Sequence, residues 1–227
     1  MGGLGKNSKG VFMYHYVTDK EFLTAVRSAT SDAVNRLVNG LNNMEGWHVG
    51  FRLIGSGGRN MPTQNENEPI DLDYNLVLEM VPNIHDCHAI KETVRKTFNL
   101  VLRGLGWGDC SDSTSALTTQ KMRFSSKNKT QASIDLGIVV QDDKDNWWRL
   151  IHKKTGRTAT DSWAWEKVRD SKGLETREKW LKENGFWNDV RQTYLDKKNL
   201  YLKRQETGTH PSFICYIEAV NEEYSKH

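Results

Sequence analysis

Cysteine and long hydrophobic runs are both scarce in this sequence. Its 227 residues include three cysteines, at positions 87, 110 and 215. An odd and widely spaced set of this kind does not form the disulfide framework of a small secreted domain. No hydrophobic run approaches the roughly 18 residues that a transmembrane helix needs, and the first residues lack the hydrophobic region of a signal peptide. We therefore expect a soluble, cytoplasmic protein with reduced thiols and no membrane contact.

A strong charge of either sign is also missing. The chain has 32 lysines and arginines against 29 acidic residues, a formal net charge of +3. This balance gives no general reason to expect nucleic-acid binding, although the net charge does not reveal a local basic patch. The chain shows no internal repeat and no low-complexity segment. Its length suits one domain with an appendage, or two small lobes.

The pattern of hydrophobic residues in the first two thirds of the chain predicts a mixture of helices and strands. Apolar residues at helical spacing predict one helix after a capping box formed by Thr18 and Glu21, and a second helix over residues 90–105. Residues 116–124 and 131–140 flank a polar turn and predict an antiparallel hairpin. We therefore expect an α+β fold with a mixed β-sheet core flanked by helices.

The composition changes from Trp147 onward. Six of the eight tryptophans lie there, among many charged residues. Helical patterns and their glycine or proline boundaries predict a series of helices in this part, over residues 161–172, 174–184, 186–204 and from Pro211 onward. We therefore divide the chain into a core, residues 1–150, and a helical, Trp-rich C-terminal lobe, residues 151–227. The glycine-rich segment 2–10 is expected to be mobile.

Two acidic residues at the start of a predicted strand are unusual. Asp71 and Asp73 alternate with Leu72 and Tyr74, so both carboxylates lie on the same face of the strand. Like charges on one face repel each other, and burial without a partner is costly. A cation removes that cost. The spacing suits a pair of metal ions about 3.5–4 Å apart.

A third acidic residue lies in the second strand of the predicted hairpin. Asp135 is the single charge in a run of β-branched and apolar residues, where packing does not call for a carboxylate. A Gly55-Ser56 turn precedes the first two acids. Three acids on two neighbouring strands beside such a turn indicate a two-metal site for a triphosphate.

These residues resemble the nucleotidyltransferase superfamily, whose fold occurs in DNA polymerase β and in the aminoglycoside and lincosamide nucleotidyltransferases. The family pattern is a hydrophobic residue followed by Gly and Ser, a spacer, then Asp-hydrophobic-Asp, and later a single Asp between hydrophobic residues. This chain has Ile54-Gly55-Ser56, Asp71-Leu72-Asp73-Tyr74 and Ile134-Asp135-Leu136 in that order. The match covers the middle of the chain.

The resemblance implies an enzyme that transfers a nucleoside monophosphate from an NTP to a hydroxyl group and releases pyrophosphate. Residues 1–150 would be the catalytic core. Asp71 and Asp73 would hold two Mg²⁺ ions, with Mn²⁺ as a substitute, and Asp135 would hold the catalytic ion and help deprotonate the acceptor. ATP is the expected donor, and the acceptor would be a small molecule, a protein or an RNA end.

The resemblance also implies residues that bind the nucleotide. Gly55 would let the backbone approach phosphate, and the hydroxyl and N–H of Ser56 would donate to a phosphate oxygen. Positively charged side chains nearby in sequence or in the predicted hairpin could contact phosphate, and one lysine of the C-terminal lobe could do so as in relatives. These candidates are Arg59, Lys121, Arg123 and Lys197.

The chain departs from the family pattern in two ways. Its spacer between the turn and the acids is long and carries Glu66 and Glu68, which would repel a triphosphate if they faced it. Pro69-Ile70 stands where many relatives have a serine before the first Asp. A cyclic-oligonucleotide synthase shares these motifs but usually has a larger C-terminal portion, so we expect a smaller transferase.

Two other classes of function remain open. The first is a non-catalytic nucleotide-binding or regulatory protein with the same fold, of the toxin–antitoxin or defence type. The second is an RNA-binding module that uses the basic helix near Lys197–Arg204. Steeply salt-dependent RNA binding without NTP turnover would distinguish the second from an enzyme.

Overall fold

The computed structural model describes residues 13–168, 173–208 and 211–227. The predicted mobile segment 2–10 lies outside these residues. The chain forms two compact units. The first, which we call the sheet unit, comprises residues 17–62 and 68–168. The second, the helical unit, comprises the described residues 13–16, 63–67 and 173 onward.

The sheet unit is a mixed sheet with two long helices and one very short one. Its elements are α1 (Lys20–Asn42), β2 (His48–Leu53), α2 (Gly55–Gly58), β4 (Ile70–Met80), α3 (Cys87–Gly104), β5 (Ser111–Asp112), β6 (Leu117–Thr118), β7 (Met122–Arg123), β8 (Gln131–Gln141), β9 (Trp147–Lys153), a 3₁₀ turn (Thr158–Thr160) and β10 (Ser162–Lys167). The helical unit contains β1 (Tyr14–Tyr16), β3 (Thr63–Asn65), α4 (Leu174–Glu183), α5 (Trp187–Lys203) and α6 (Ser212–Lys226).

The large sheet has the strand order β10-β9-β8-β4-β2. Its central pair, β4 and β8, is parallel, while β2 pairs with β4 and β9 pairs with β8 and β10 in antiparallel fashion. The short strands β6 and β7 add to β8 in antiparallel register. The predicted hairpin is therefore confirmed, although its first strand consists of two short pieces. The predicted mixed α+β fold is confirmed as well.

One face of the sheet is buried under α1 and α3. On β4 the buried residues alternate with the acidic and polar ones, and the buried set is Ile70, Leu72, Tyr74, Leu76 and Leu78. These side chains join one hydrophobic core with the apolar faces of both helices. Burial of this continuous apolar surface is the main source of stability for the unit. The other face of β4 is left to Asp71, Asp73 and Asn75.

The core also fixes α1 to β4 through one buried phenol. The hydroxyl of Tyr74 lies 2.9 Å from Thr30 Oγ1 and 3.0 Å from Ser31 Oγ, both on α1. A buried hydroxyl is costly unless it forms hydrogen bonds, and these contacts satisfy it. Tyr74 directly follows Asp73, so this anchor holds the acidic end of β4 against the helix.

In the helical unit, α5 holds the small sheet formed by β1 and β3. Lys198 Nζ donates to Thr63 Oγ1 at 2.6 Å and lies 3.8 Å from the ring centroid of Tyr14. Asn199 contacts the backbone N and O of Tyr14. The strand β3 comes from the stretch between the Gly-Ser turn and β4, so the long spacer contributes a strand to a different unit.

Three predicted C-terminal helices are confirmed as α4, α5 and α6, with Pro211 as the N-cap of the last. The predicted helix over residues 161–172 is wrong for residues 161–168, and residues 169–172 lie outside the described part of the chain. Residues 162–167 form the edge strand β10, which pairs with β9. Trp163 stacks on His152 at 4.3 Å, and Trp165 Nε1 donates to the carbonyl of Ile84. These contacts come from distant parts of the chain and override the local helical composition.

Two further details of the predicted organisation can be compared with the structure. Helix α1 is capped by Asp19 rather than Thr18, since Asp19 Oδ1 accepts the N–H of Phe22 at 2.9 Å. The division into lobes after residue 150 stays a prediction, and that boundary falls inside β9. None of the helices that the structure describes has the length and apolar character needed to cross a membrane.

Candidate active site

The parallel pairing of β4 and β8 brings the three predicted acids to neighbouring positions. Asp71 lies opposite Ser133, and Asp73 lies opposite Asp135. Neighbouring strands are about 4.8 Å apart, and residues paired in this way project to the same face of the sheet. Three carboxylates therefore share the face that α1 and α3 do not cover.

Burial and neighbouring carboxylates disfavour the charged forms of Asp73 and Asp135. Burial raises the pKa of Asp73 to about 6, with additional upward contributions from Asp135 and Asp71. Burial also raises the pKa of Asp135, and Asp71 adds to the rise, while the hydrogen bond from Thr118 opposes it. The site thus has an excess of negative charge that a bound cation would neutralise.

Hydroxyl groups hold two of the carboxylates. Ser133 Oγ donates to Asp71 Oδ1, and Thr118 Oγ1 donates to Asp135 Oδ1 at 2.6 Å. Within the residues that the structure describes, no three acidic, histidine or cysteine side chains converge on a metal-binding position. The donor set itself fits a hard divalent cation, because carboxylate oxygens are the ligands that Mg²⁺ prefers.

The Gly-Ser turn lies directly against Asp73. Gly55 has a φ of 62°, and a Cβ built on it would lie 2.2 Å from Asp73 Oδ2. The N–H of Ile54 donates to the carbonyl of Asp73 at 2.8 Å. Position 55 therefore requires glycine both for its backbone conformation and for the carboxylate that packs on it. Ser56 follows in the short helix α2, and its hydroxyl has no hydrogen-bond partner in the described part of the chain.

Two arginines partly offset the effect of burial, because their positive charges lower the pKa of Asp73. One is Arg59, which follows the glycine turn and was predicted as a nucleotide-binding residue. The other is Arg149 on β9, which sequence reasoning missed. Arg149 Nη2 donates to Asn75 Oδ1 at 3.2 Å, and burial lowers the pKa of its guanidinium.

Nothing in the local sequence could have identified Arg149. It lies 76 positions after Asp73 in the chain (149 − 73) and reaches the site because β9 pairs with β8. Gly137 of β8 leaves room for it, since a Cβ at position 137 would lie 3.3 Å from Arg149 Nε. The position of Arg149 near Asp73 depends on the pairing register of β4 with β8 and of β8 with β9. A local sequence motif does not encode that register.

The remaining predicted cations lie on other elements than the acids. Arg123 pairs with Gln131, which is four residues before Asp135 on the same face of β8, and Lys121 is an exposed residue just before β7. Lys197 belongs to the helical unit, where its Nζ lies 2.8 Å from Glu222 Oε2. The proposal that these three bind the nucleotide stays a prediction, and Lys197 already has an acidic partner.

The fold resembles solved structures although no sequence relative was found. No protein-family model matches this sequence, and no curated protein sequence matches it either. The cyclic dinucleotide synthase CdnE of Elizabethkingia meningoseptica, solved with GTP and Apcpp, superposes with a TM-score of 0.54 at 12% identity. The two chains overlap over 88% of this one and 69% of CdnE. The chain has a nucleotidyltransferase fold.

Two further nucleotidyltransferase structures support this assignment of the fold. The Vibrio cholerae DncV cyclic AMP-GMP synthase, in complex with nonhydrolyzable GTP, has a TM-score of 0.55 and 12% identity over 83% of this chain. Escherichia coli DncV in its 3′-deoxy GTP bound form has a TM-score of 0.51 and 16% identity over 91% of this chain. This chain spans 62% and 58% of those two proteins, respectively.

We expect Asp73→Asn to raise the free energy of unfolding of the metal-free protein at pH 8 by about 1–3 kcal/mol. Burial raises the pKa of Asp73 to about 6 in the folded protein, from its ordinary value of 3.8. The folded state therefore binds more protons between these pH values and loses stability as the pH rises through that window. The gain should disappear near pH 4, where folded Asp73 is neutral.

Urea unfolding in the presence of a chelator, at pH 4 and at pH 8, measures this effect. Asp32→Asn is a matched control, because Asp32 is an exposed acid on α1 that pairs with Arg36. A variant Asp73→Asn that is less stable than the wild type at pH 8 would show that the carboxylate is not under electrostatic strain.

We expect Gly55→Ala to lower the free energy of unfolding by about 1–3 kcal/mol, because alanine is strained at this φ and its methyl group meets the Asp73 carboxylate. Gly104→Ala is the control. Nothing lies within 4 Å of a Cβ at position 104 in α3, so this change should stay within about 1 kcal/mol of the wild type. Urea titrations of both variants provide the comparison, and equal stabilities would contradict the close packing of Asp73 on Gly55.

Proposed function

We propose that this protein is an enzyme that transfers a nucleoside monophosphate from an NTP to a hydroxyl-bearing acceptor and releases pyrophosphate. The observation that carries the proposal is the cluster of Asp71, Asp73 and Asp135 on one sheet face, with a glycine turn packed against it. A structural role does not account for three like charges at adjacent positions. The nucleotidyltransferase fold supports the same reading.

A divalent cation is the expected cofactor. Asp71 and Asp73 would hold two Mg²⁺ ions, or Mn²⁺ in their place, and Asp135 would share one of them. When bound, these ions would neutralise the carboxylates and the developing charge on the phosphates. The fit rests on the donor set and on the raised pKa values of Asp73 and Asp135.

The protein side chains would bind and orient the substrates. Ser56, whose hydroxyl has no hydrogen-bond partner among the described residues, would donate to a phosphate oxygen beside Gly55, where the absence of a side chain allows close approach. Arg59 would add positive charge next to the turn. Asp135 would accept the proton of the acceptor hydroxyl, as a carboxylate within hydrogen-bonding distance of that group can.

The proposal also specifies the donor nucleotide and the class of acceptor. ATP is the expected donor, and the acceptor would be a small molecule, a protein or an RNA. The solved structures that share the fold are named as cyclic dinucleotide synthases with bound GTP or its analogues. A second nucleotide is therefore the first acceptor to test. We propose that the reaction takes place in the cytoplasm.

A non-catalytic nucleotide-binding protein is the second candidate. It is favoured by the hydrogen bonds from Ser133 and Thr118, which give two of the carboxylates a partner within the protein. In that case NTP would bind without turnover. In an enzyme, by contrast, both hydroxyl contacts would yield to the cation.

Pyrophosphate release tests the proposed reaction. The protein is incubated with Mg²⁺ and single NTPs or pairs of NTPs, and the products are separated by mass. We expect Asp71→Asn, Asp73→Asn and Asp135→Asn each to lower the rate at least about 100-fold, as loss of a group that acts in the transition state does. Asp143→Asn, in the exposed turn after β8, is the control and should keep the wild-type rate.

Three outcomes separate the candidates. Turnover that depends on the three acids supports an enzyme, and the product mass identifies the acceptor. Metal-dependent NTP binding without turnover in any mixture would favour the regulatory protein. Turnover that survives all three substitutions would place the chemistry elsewhere in the molecule.

A further inference from the structure

The glycine turn next to Asp73 has little intrinsic rigidity. Three of the four residues in α2 are glycine, and glycine loses more backbone freedom on folding than any other residue. Four backbone hydrogen bonds close it. Those from Gly58 N to Ile54 O and from Met61 N to Ser56 O are 2.9 and 2.8 Å long, but those from Arg59 N to Gly55 O and from Asn60 N to Gly57 O are 3.3 Å long, near the upper limit for a hydrogen bond. The segment from Gly57 to Asn60 therefore gains most from contacts outside the turn.

One arginine on α1 supplies such contacts. Arg27 Nη2 donates to the carbonyl of Gly57 and to Asn60 Oδ1, both at 3.0 Å. A single guanidinium nitrogen thus ties together two residues on either side of Arg59. Asn60 has a φ of 60°, a backbone conformation that non-glycine residues seldom adopt, so this contact also stabilises the exit of the turn.

The environment of Arg27 differs from that of an ordinary surface arginine. No carboxylate of the described residues forms an ion pair with Arg27. Its Nε atom is buried and has no hydrogen-bond partner among the described residues. A buried donor without a partner is unfavourable, so packing alone does not account for arginine here. The side chain brings an uncompensated positive charge to the back of the glycine turn.

We propose that Arg27 is a positioning residue that holds the glycine turn in the conformation that receives the phosphates of the donor NTP. This inference rests on the proposed function, since it assumes that the turn binds phosphate. Arg27 acts through the carbonyl of Gly57 and the side chain of Asn60 and does not itself contact the reacting atoms. Its effect is therefore on nucleotide binding, with the chemical step left nearly unchanged.

Substitution of Arg27 tests the inference. We expect Arg27→Met to weaken the binding of a nonhydrolysable ATP analogue, measured by calorimetry with Mg²⁺, by about 10- to 100-fold, as loss of two hydrogen bonds from a charged donor would. KM should rise by a similar factor, with kcat within about threefold of the wild type. Arg27→Lys keeps the charge and one donor direction and should give an intermediate affinity.

Arg36→Met is the matched control. Arg36 lies on the same helix and pairs only with the exposed Asp32 among the described residues, so its loss should leave affinity unchanged. Hydrogen exchange without nucleotide provides a readout of the turn itself. The amides of Gly58 to Met61 should exchange faster in Arg27→Met and in Arg27→Lys than in the wild type or the control.

The outcomes distinguish this inference from the proposed function. Wild-type protein that binds the analogue, together with an Arg27→Met variant that binds it equally well, would overturn the inference alone. If Arg27→Met does not fold, an unchanged affinity in Arg27→Lys would overturn it in the same way. A wild-type protein that binds no NTP under any metal condition would overturn the proposed function and, with it, this inference.

Discussion

Repulsion among three carboxylates is the constraint on which the rest of the site depends. Asp71 and Asp73 lie on one face of β4, and the parallel partner β8 brings Asp135 beside them. Burial and mutual repulsion raise the pKa of Asp73, so the metal-free site is electrostatically strained. Burial of the opposite face of β4 offsets this unfavourable electrostatic energy, because the strand contributes five buried apolar or aromatic residues to the hydrophobic core.

The residues around the acids reduce the energetic cost of burying the carboxylates in different ways. Hydroxyl groups of Ser133 and Thr118 satisfy two carboxylates. Arg149 supplies positive charge from β9, and Gly55 leaves room for the Asp73 carboxylate. Between the glycine turn and β4, residues 63–67 belong to the helical unit, where β3 (Thr63–Asn65) pairs with β1. The long spacer, which departs from the family pattern, therefore has a structural reason, and it joins the site covalently to a strand of the other unit.

Local patterns predicted the parts of the site that lie within one strand or one turn. The alternation of Asp71, Leu72 and Asp73 and the Gly55-Ser56 pair are visible in sequence, and the isolated Asp135 follows from its hydrophobic surroundings. What failed depends on contacts between distant segments. Residues 162–167 have the composition of a helix but form an edge strand through pairing with β9. Arg27 and Arg149 reach the site only because of helix packing and strand register, which no short motif records.

The most direct test of the central claim is a crystal structure with Mn²⁺ and a nonhydrolysable ATP analogue, in which anomalous scattering locates the metal. We predict Mn²⁺ within about 2.2 Å of carboxylate oxygens of Asp71, Asp73 and Asp135, with the phosphates next to the Gly55-Ser56 turn. The hydroxyl contacts from Ser133 and Thr118 should be broken or rearranged. A complex in which the nucleotide and the metal bind elsewhere, with both hydroxyl contacts intact, would contradict the account.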